Sequence, residues 1–250
     1  MVTKIRAYSN KSKSAILLSE ALDVWMLNHT GSSYVPQEGD TVINWGNGAN
    51  YSPARTLNEP ENVRLAVNKR RAFNKFHEAG VSIPAFTQYA SKAQKWLDEG
   101  HTLIARAVLD GHEGQGIILV KPGSSLPEAG LYVKYIDKDS EYRIHVMNGK
   151  AFDCLRKVHK DDPYKVDTVC NTEAGYVYSR KYHIPQAVES EAIKAIAALG
   201  LDFGAVDVVY TNGNAMNVGS AYVLEVNTAP GIEGLEVTKY VKAFKENYKL

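Results

Sequence analysis

Cysteine is nearly absent: Cys154 and Cys170 are the two in 250 residues. Without a CxxC pair the chain has neither zinc-ribbon spacing nor a disulfide framework, and both residues read as reduced thiols. Long apolar runs are missing too, since no stretch approaches the roughly 18 residues of a membrane span. The opening MVTKIRAYSNKSKSAILL spreads its charges and lacks the apolar core of a secretory signal, so the expected location is the cytoplasm. Charge of one sign is lacking: Lys+Arg 29 against Asp+Glu 28 leave a net +1. No basic run interleaves with aromatics, so neither nucleic acid nor a membrane is expected as a partner. The seven histidines show no HExxH spacing, and no convincing Ser/His/Asp or Cys/His set occurs. What remains is ordinary globular composition, 44% hydrophobic and 23% charged, enough for one large core or two to three small lobes.

Taken in order, residues 4–8 (KIRAY) read as a strand, 14–24 as a helix and 41–46 (TVINWG) as a second strand, a small α/β lobe. WGNGAN puts Gly46 and Gly48 at a strand end, where backbone approaches a ligand closely or simply turns. YSPARTLNEPEN is rich in breakers and reads as a linker to a helix over 63–79, stopped by Gly80. VSIPAFTQYA reads as a strand with a proline at its edge, followed by a helix near 92–97 and the strand TLIARAV. The loop DGHEGQG then joins TLIARAV to IILV. Its glycines at 111, 114 and 116 suit a phosphate cover or a plain hairpin tip, without the GK[ST] of a P-loop or a GxGxxG match. Arg106, just before it, is placed to reach the same phosphates or to make a surface ion pair.

After KPGSSLPEAG, the run LYVKYIDKDSEYRIHVMNGK reads as strand, bend and strand closing through an Asn148-Gly149 turn, and AFDCLRKVH returns as another strand. Glu141 and Arg143 share a face by alternation, with Arg156 expected to face them; an exposed sheet face is the plain alternative. A short strand is expected around GYVYS, a helix over 186–199 stopped by Gly200, and a final amphipathic helix over 235–248.

The stretch GAVDVVYTNGNAMNVGSAYVLEVNTAPG organises the rest. Period-two alternation puts Ala205, Asp207 and Val209 on one face of one strand, and Val223, Glu225 and Asn227 on one face of the next. Pairing the apolar faces gathers two carboxylates and an amide on the other side. A cation would compensate them there, and oxygen ligands of this kind suit magnesium completed by water and phosphate.

In order along the chain, Asn68-Lys69, AGVSIPAF, LIARAVLDGHEGQGI, YVKYIDKDSEYRIHV, AVDVVY and LEVNTAPG resemble the ATP-grasp superfamily over about residues 42–235. The likeness is to D-alanine–D-alanine ligases and to glutamate ligases that modify ribosomal proteins. The small size is similar to that of phage-encoded ATP-grasp carboxylate–amine ligases, which would place the chain in a host cytoplasm. The resemblance implies an α/β (α+β) ATP-grasp fold in three parts: an N-terminal α/β lobe over 1–62, a central lobe over 63–135 and a C-terminal lobe over 136–250. It implies ATP and Mg2+ as cofactors, with Lys69 and Arg106 on the phosphates and Gly114, Gln115 and Gly116 in the loop covering them. Arg106 stands where the family usually has lysine, a longer planar fork in place of an ammonium. Backbone from Lys134 through Tyr135 to Ile136 would read adenine, and Glu141 would bond the ribose. Lys134 replaces the Glu or Gln of many relatives. Arg143 and Arg156 match arginines facing phosphate or the activated acyl group, and Asp207, Glu225 and Asn227 match the magnesium ligands.

The implied reaction is ATP-dependent ligation of a small-molecule or peptide carboxylate to an amine through an acyl phosphate, with release of ADP. Arg156 is the expected stabiliser of the tetrahedral oxyanion. Two other readings share the metal hairpin: an ATP-grasp kinase acting on a hydroxyl, and a non-catalytic nucleotide-binding module. A full metal set argues against the last.

Overall fold

A computed structural model describes residues 2–28, 32–35, 37–49, 55–111, 115–168, 170, 173–213 and 219–248. The first sheet is parallel, in the order β2-β1-β3-β4, from β1 (Thr3–Ala7), β2 (Trp25–Leu27), β3 (Thr41–Trp45) and β4 (Arg55–Leu57). Between β1 and β2 runs α1 (Lys13–Leu22), opened by the Ser12 hydroxyl accepting from Ala15 N and closed by Asp23 in the left-handed region, φ 56°. That left-handed residue ends the helix earlier than the expected 24. β2 and β4 went unforeseen, because three residues are too few to show a period. β4 lies within the stretch read as a linker. Gly46 (φ +78°) bridges to Ala7 just past β3, and a Cβ there would stand 2.6 Å from the Ala229 Cβ. The close approach expected at this glycine is thus made by the chain's own TAPG segment.

The single helix expected over 63–79 is two, α2 (Pro60–Val67) and α3 (Lys69–Glu78). Asn68 separates them: its backbone is extended (φ −78°, ψ 106°) and its side chain accepts from Arg71 N at 3.1 Å, an N-cap that starts α3 at Lys69. Gly80, at φ +69°, follows the end of α3. Next come β5 (Phe86–Thr87), α4 (Ala90–Asp98), β6 (Leu103–Arg106), β7 (Ile117–Val120) and β8 (Leu131–Lys134), forming an antiparallel sheet in the order β5-β8-β6-β7.

The third sheet is antiparallel, ordered β11-β10-β9-β12-β13: β9 (Ser140–Met147), β10 (Lys150–His159), β11 (Tyr176–Ser179), β12 (Phe203–Thr211) and β13 (Ser220–Asn227). Asn148 (φ 49°) and Gly149 (φ 72°) make the tight β9–β10 turn that the Asn-Gly pair predicts. One face of this sheet carries Tyr142, Ile144, Val206, Val208, Val223 and Val226 into a core shared with α5 (Gln186–Ala198) and α3. α6 (Leu235–Tyr248) packs its Tyr240 and Phe244 with Trp45 of β3 and Phe203 of β12. The opposite face of the third sheet is divided: Met147, Phe152 and Phe203 pack against α6, and beyond them stand Glu141, Arg143 and Asp207.

Candidate active site

β12 and β13 align as the sequence predicts, with Asp207 opposite Glu225 and Ala205 opposite Asn227, but a bulge interrupts them. Val208 pairs with Val223, so Leu224 is an extra residue, and Val223 is fully buried among Val206, Val208 and Val226. The expectation that Val223 shares the face of Glu225 and Asn227 is corrected accordingly. A bulge adds one residue to one strand and resets its alternation.

The two carboxylates are not left bare. Arg143 on β9 grips Asp207 with two parallel bonds, Nε to Oδ1 and Nη2 to Oδ2, both 2.8 Å, and the Lys157 ammonium is 3.5 Å from Oδ2. Burial alone would raise Asp207; Arg143 and Lys157 outweigh it and hold the carboxyl well below the usual carboxylate range. Glu225 faces the Lys69 ammonium at 3.5 Å, and the Asn227 amide donates to Glu225 Oε1 at 3.4 Å. Charge compensation thus comes from protein cations, which removes the argument that a metal ion is required to balance the hairpin. Among the described residues no three His, Cys, Asp or Glu side chains form a metal cluster. What the site offers is a smaller oxygen set, two facing carboxylates and an amide oxygen. That fits magnesium, which binds through one or two carboxylates and keeps waters and phosphate oxygens.

Glu141 on β9 is buried and held on both oxygens, by Lys138 and by Lys157. Arg156 lies elsewhere. It pairs with Tyr142, whose ring is in the α5 core, and its guanidinium covers the Tyr182 ring at 4.8 Å. The cause is a second bulge: Ala151 pairs with Val146 but Asp153 with His145, so Phe152 is extra and Lys157, not Arg156, stands opposite Glu141. The expected facing of Arg156 toward Glu141 and Arg143 is corrected by this one-residue shift. Lys157, Lys138 and Tyr178, whose ring lies 5.0 Å from the Arg143 guanidinium, are the neighbours the sequence reading missed. A bulge at Phe152 leaves no local sign in a strand of mixed residues, so nothing pointed to Lys157.

Arg106, at the end of β6, has a buried Nε without a hydrogen-bond partner among the described residues. Burial pulls its guanidinium below the ordinary arginine value, against the pull of Glu225. Lys69, Arg106 and Glu225 therefore converge from α3, β6 and β13. The Lys69 amide also donates to Leu109 O at 3.0 Å, and Asn68 to Asp110 Oδ1 at 2.9 Å, tying α3 to the stem of the glycine-rich loop. In that loop Gln115 is exposed and Gly116 has φ +70°; a Cβ on Gly116 would meet Val108 N at 2.7 Å. Gly114 lies outside the described residues. At the end of β8, Lys134 N donates to Ala85 O, and just past it Tyr135 N donates to Thr102 O. The amides of Lys134 and Tyr135, in the backbone stretch expected to read adenine, are thus spent within the fold. The Lys134 ammonium sits 5.0 Å over the Trp96 ring.

The cation-paired carboxylates of the third sheet are thus met by Lys69 and Arg106, from the second sheet and its preceding helix. Residues 66–246 match the RimK-like ATP-grasp domain, and the chain belongs to that family. A Halorhodospira halophila protein named "Probable alpha-L-glutamate ligase" is 25% identical over 196 residues, 72% of this chain and 61% of the relative. The chain spans 61–62% of the length of the curated relatives it first matches. Among solved structures, the ATP-grasp ligase PsnB complexed with a minimal precursor superposes with TM-score 0.67 at 13% identity, covering 98% of each chain. Another structure of PsnB holds Mg and ADP, with TM-score 0.65 at 13% identity over 94% of this chain and 92% of that one. The D-alanine–D-alanine ligase of Bacillus anthracis superposes with TM-score 0.62 at 14% identity, covering 98% of this chain and 93% of that one. No helix among the described residues is long and apolar enough to cross a membrane.

Proposed function

We propose that the chain is an ATP-dependent carboxylate–amine ligase. A substrate carboxylate oxygen attacks the γ-phosphorus of ATP and the bond to the β-γ bridging oxygen breaks, giving an acyl phosphate and ADP. An amine then attacks the acyl carbon, the bond to phosphate breaks, and the amide and inorganic phosphate leave as the nitrogen loses its proton. The observation that carries this reading is the meeting of Lys69, Arg106 and Arg143 around the facing Asp207–Glu225 pair. Such a site serves transfer of a highly charged group and needs no side-chain nucleophile.

Lys69 and Arg106 hold the phosphates, and the unpartnered Arg106 Nε is a donor awaiting an acceptor. Backbone between Lys134 and Ile136 would read the base, and Glu141 would bond the ribose. Asp207, Glu225 and Asn227 would hold magnesium, which supplies positive charge to the oxygens of the transferring phosphoryl group. Arg143 replaces Arg156 as the candidate for oxyanion stabilisation, since its Nη1 is not spent on Asp207. The named relatives act on amino acids or peptides, and an amino acid or peptide is the substrate class proposed here. A cytoplasmic setting, or a host cytoplasm for a phage chain, suits a reaction fed by ATP.

The test is ADP release with a panel of acids and amines, the products identified by mass. ADP that requires both an acid and an amine supports the ligase. ADP that requires an alcohol alone favours a kinase, and nucleotide binding without turnover favours a binding module.

A further inference from the structure

Lys157 enters the site only because of the Phe152 bulge, and it makes a connection that no other cation there makes. Its ammonium contacts Glu141 Oε1 and lies 3.5 Å from Asp207 Oδ2, with the side chain 9% exposed. Among the described residues, Arg143 pairs with Asp207 but not Glu141, and Lys138 with Glu141 but not Asp207. The three strands involved, β10, β9 and β12, are direct neighbours, so the lysine reaches across β9 from one flank of it to the other. We propose that Lys157 is a positioning residue: one buried ammonium shared between Glu141 and Asp207 that couples the ribose end of a bound nucleotide to its metal end. The inference rests on the ligase site described above.

The physics of sharing gives the coupling a sign. Burial works to strip the Lys157 proton, and Asp207 and Glu141 outweigh it, so the charge stays in place. Glu141 draws part of that charge toward itself. In a Glu141→Gln protein the ammonium turns wholly to Asp207, where it competes with a divalent cation for the same oxygens. A group that only holds strands together would transmit no such effect. Lys138 keeps the second Glu141 oxygen and donates to Thr168 O at 3.2 Å, so Glu141 stays anchored when Lys157 is altered.

The experiment is a double-mutant cycle on Mn2+ affinity, read by calorimetry in the presence of saturating imido-bridged ATP analogue. Glu141→Gln in the native background should weaken Mn2+ by about fivefold or more, a coupling of ordinary size for two groups sharing a partner. In a Lys157→Met background the same change should shift Mn2+ by less than about twofold, and Lys157→Arg, which keeps the charge, should restore the effect. Equal shifts in both backgrounds overturn the proposal. So does an unchanged Mn2+ affinity for Glu141→Gln alone, a result that needs no Lys157 variant to fold. A Lys157→Met protein that melts lower yet keeps the full Glu141 effect assigns the lysine a structural role only. Failure of the unaltered chain to bind the analogue sinks the ligase reading itself, whereas additivity sinks this inference alone.

Discussion

Asp207 and Glu225 stand opposite each other, yet replacing them should have different consequences. Glu225 is 27% exposed at its side chain and pairs loosely with Lys69, so Glu225→Gln leaves little uncompensated charge behind. Its expected effect is a loss of turnover of roughly 10² or more with the melting temperature nearly unchanged. Near-normal turnover in saturating magnesium would remove Glu225 from the metal set. Asp207→Asn instead strands the largely buried Arg143 and leaves Lys157 to Glu141 alone, and should cost about 3–5 kcal/mol, visible as a melting temperature lower by about 6–20 °C. A second residue-level expectation concerns acid. His145 is buried beside the Tyr240 hydroxyl at 2.9 Å, and burial, helped by Arg143, pulls it down to about 3. Between pH 6.5 and that value the unfolded chain binds a proton that the folded chain refuses, so stability falls as pH falls, by up to about 1.4 kcal/mol per pH unit. Asp207 adds its own loss only below the ordinary carboxylate range. Unfolding measured from pH 7 to 4.5 should therefore show a slope that His145→Gln reduces; an equal slope in the variant would contradict this.

At the scale of elements, the two bulges mark the boundary of what could be read from the chain. Strand existence was legible wherever alternation ran for several residues, and α6 matches its expected span of 235–248. The facing of Asp207, Glu225 and Asn227 was legible because Asp207 and Glu225 stay paired across the hairpin. What failed was alternation carried through an extra residue: Val223 was put on the polar face and Arg156 in place of Lys157. Neither Leu224 nor Phe152 is a glycine or otherwise signals a bulge, since these bulges are decided by which neighbours each side chain finds in the fold. Asn68 escaped as well, because a cap in mid-run interrupts a helical pattern without erasing it. The β13 bulge makes a direct prediction. Val223→Asn buries an amide in the valine core and should cost about 3 kcal/mol or more, while Leu224→Asn, at a partly exposed position, should cost about 1 kcal/mol or less. Denaturant unfolding that ranked the two the other way would refute the bulged register.

Across the whole molecule, the proposed nucleotide site draws on two antiparallel sheets, whereas α6 and the TAPG segment bind the third sheet to the parallel one. Trp45 stacks on Phe203 at 5.6 Å and meets Tyr240 edge-on at 5.4 Å, so the parallel lobe is continuous with the sheet that carries Asp207. On the ligase reading proposed above, which the family match supports, attack falls at the terminal phosphate and not at the α-phosphate, and this is the central claim. It is tested most directly by incubating the protein with ATP, magnesium and a panel of candidate acids, with hydroxylamine in place of the amine. Nucleotides and hydroxamates are then separated and identified by mass. The account predicts ADP and a hydroxamate in equal amounts, both lost with Glu225→Gln. AMP with pyrophosphate would contradict it.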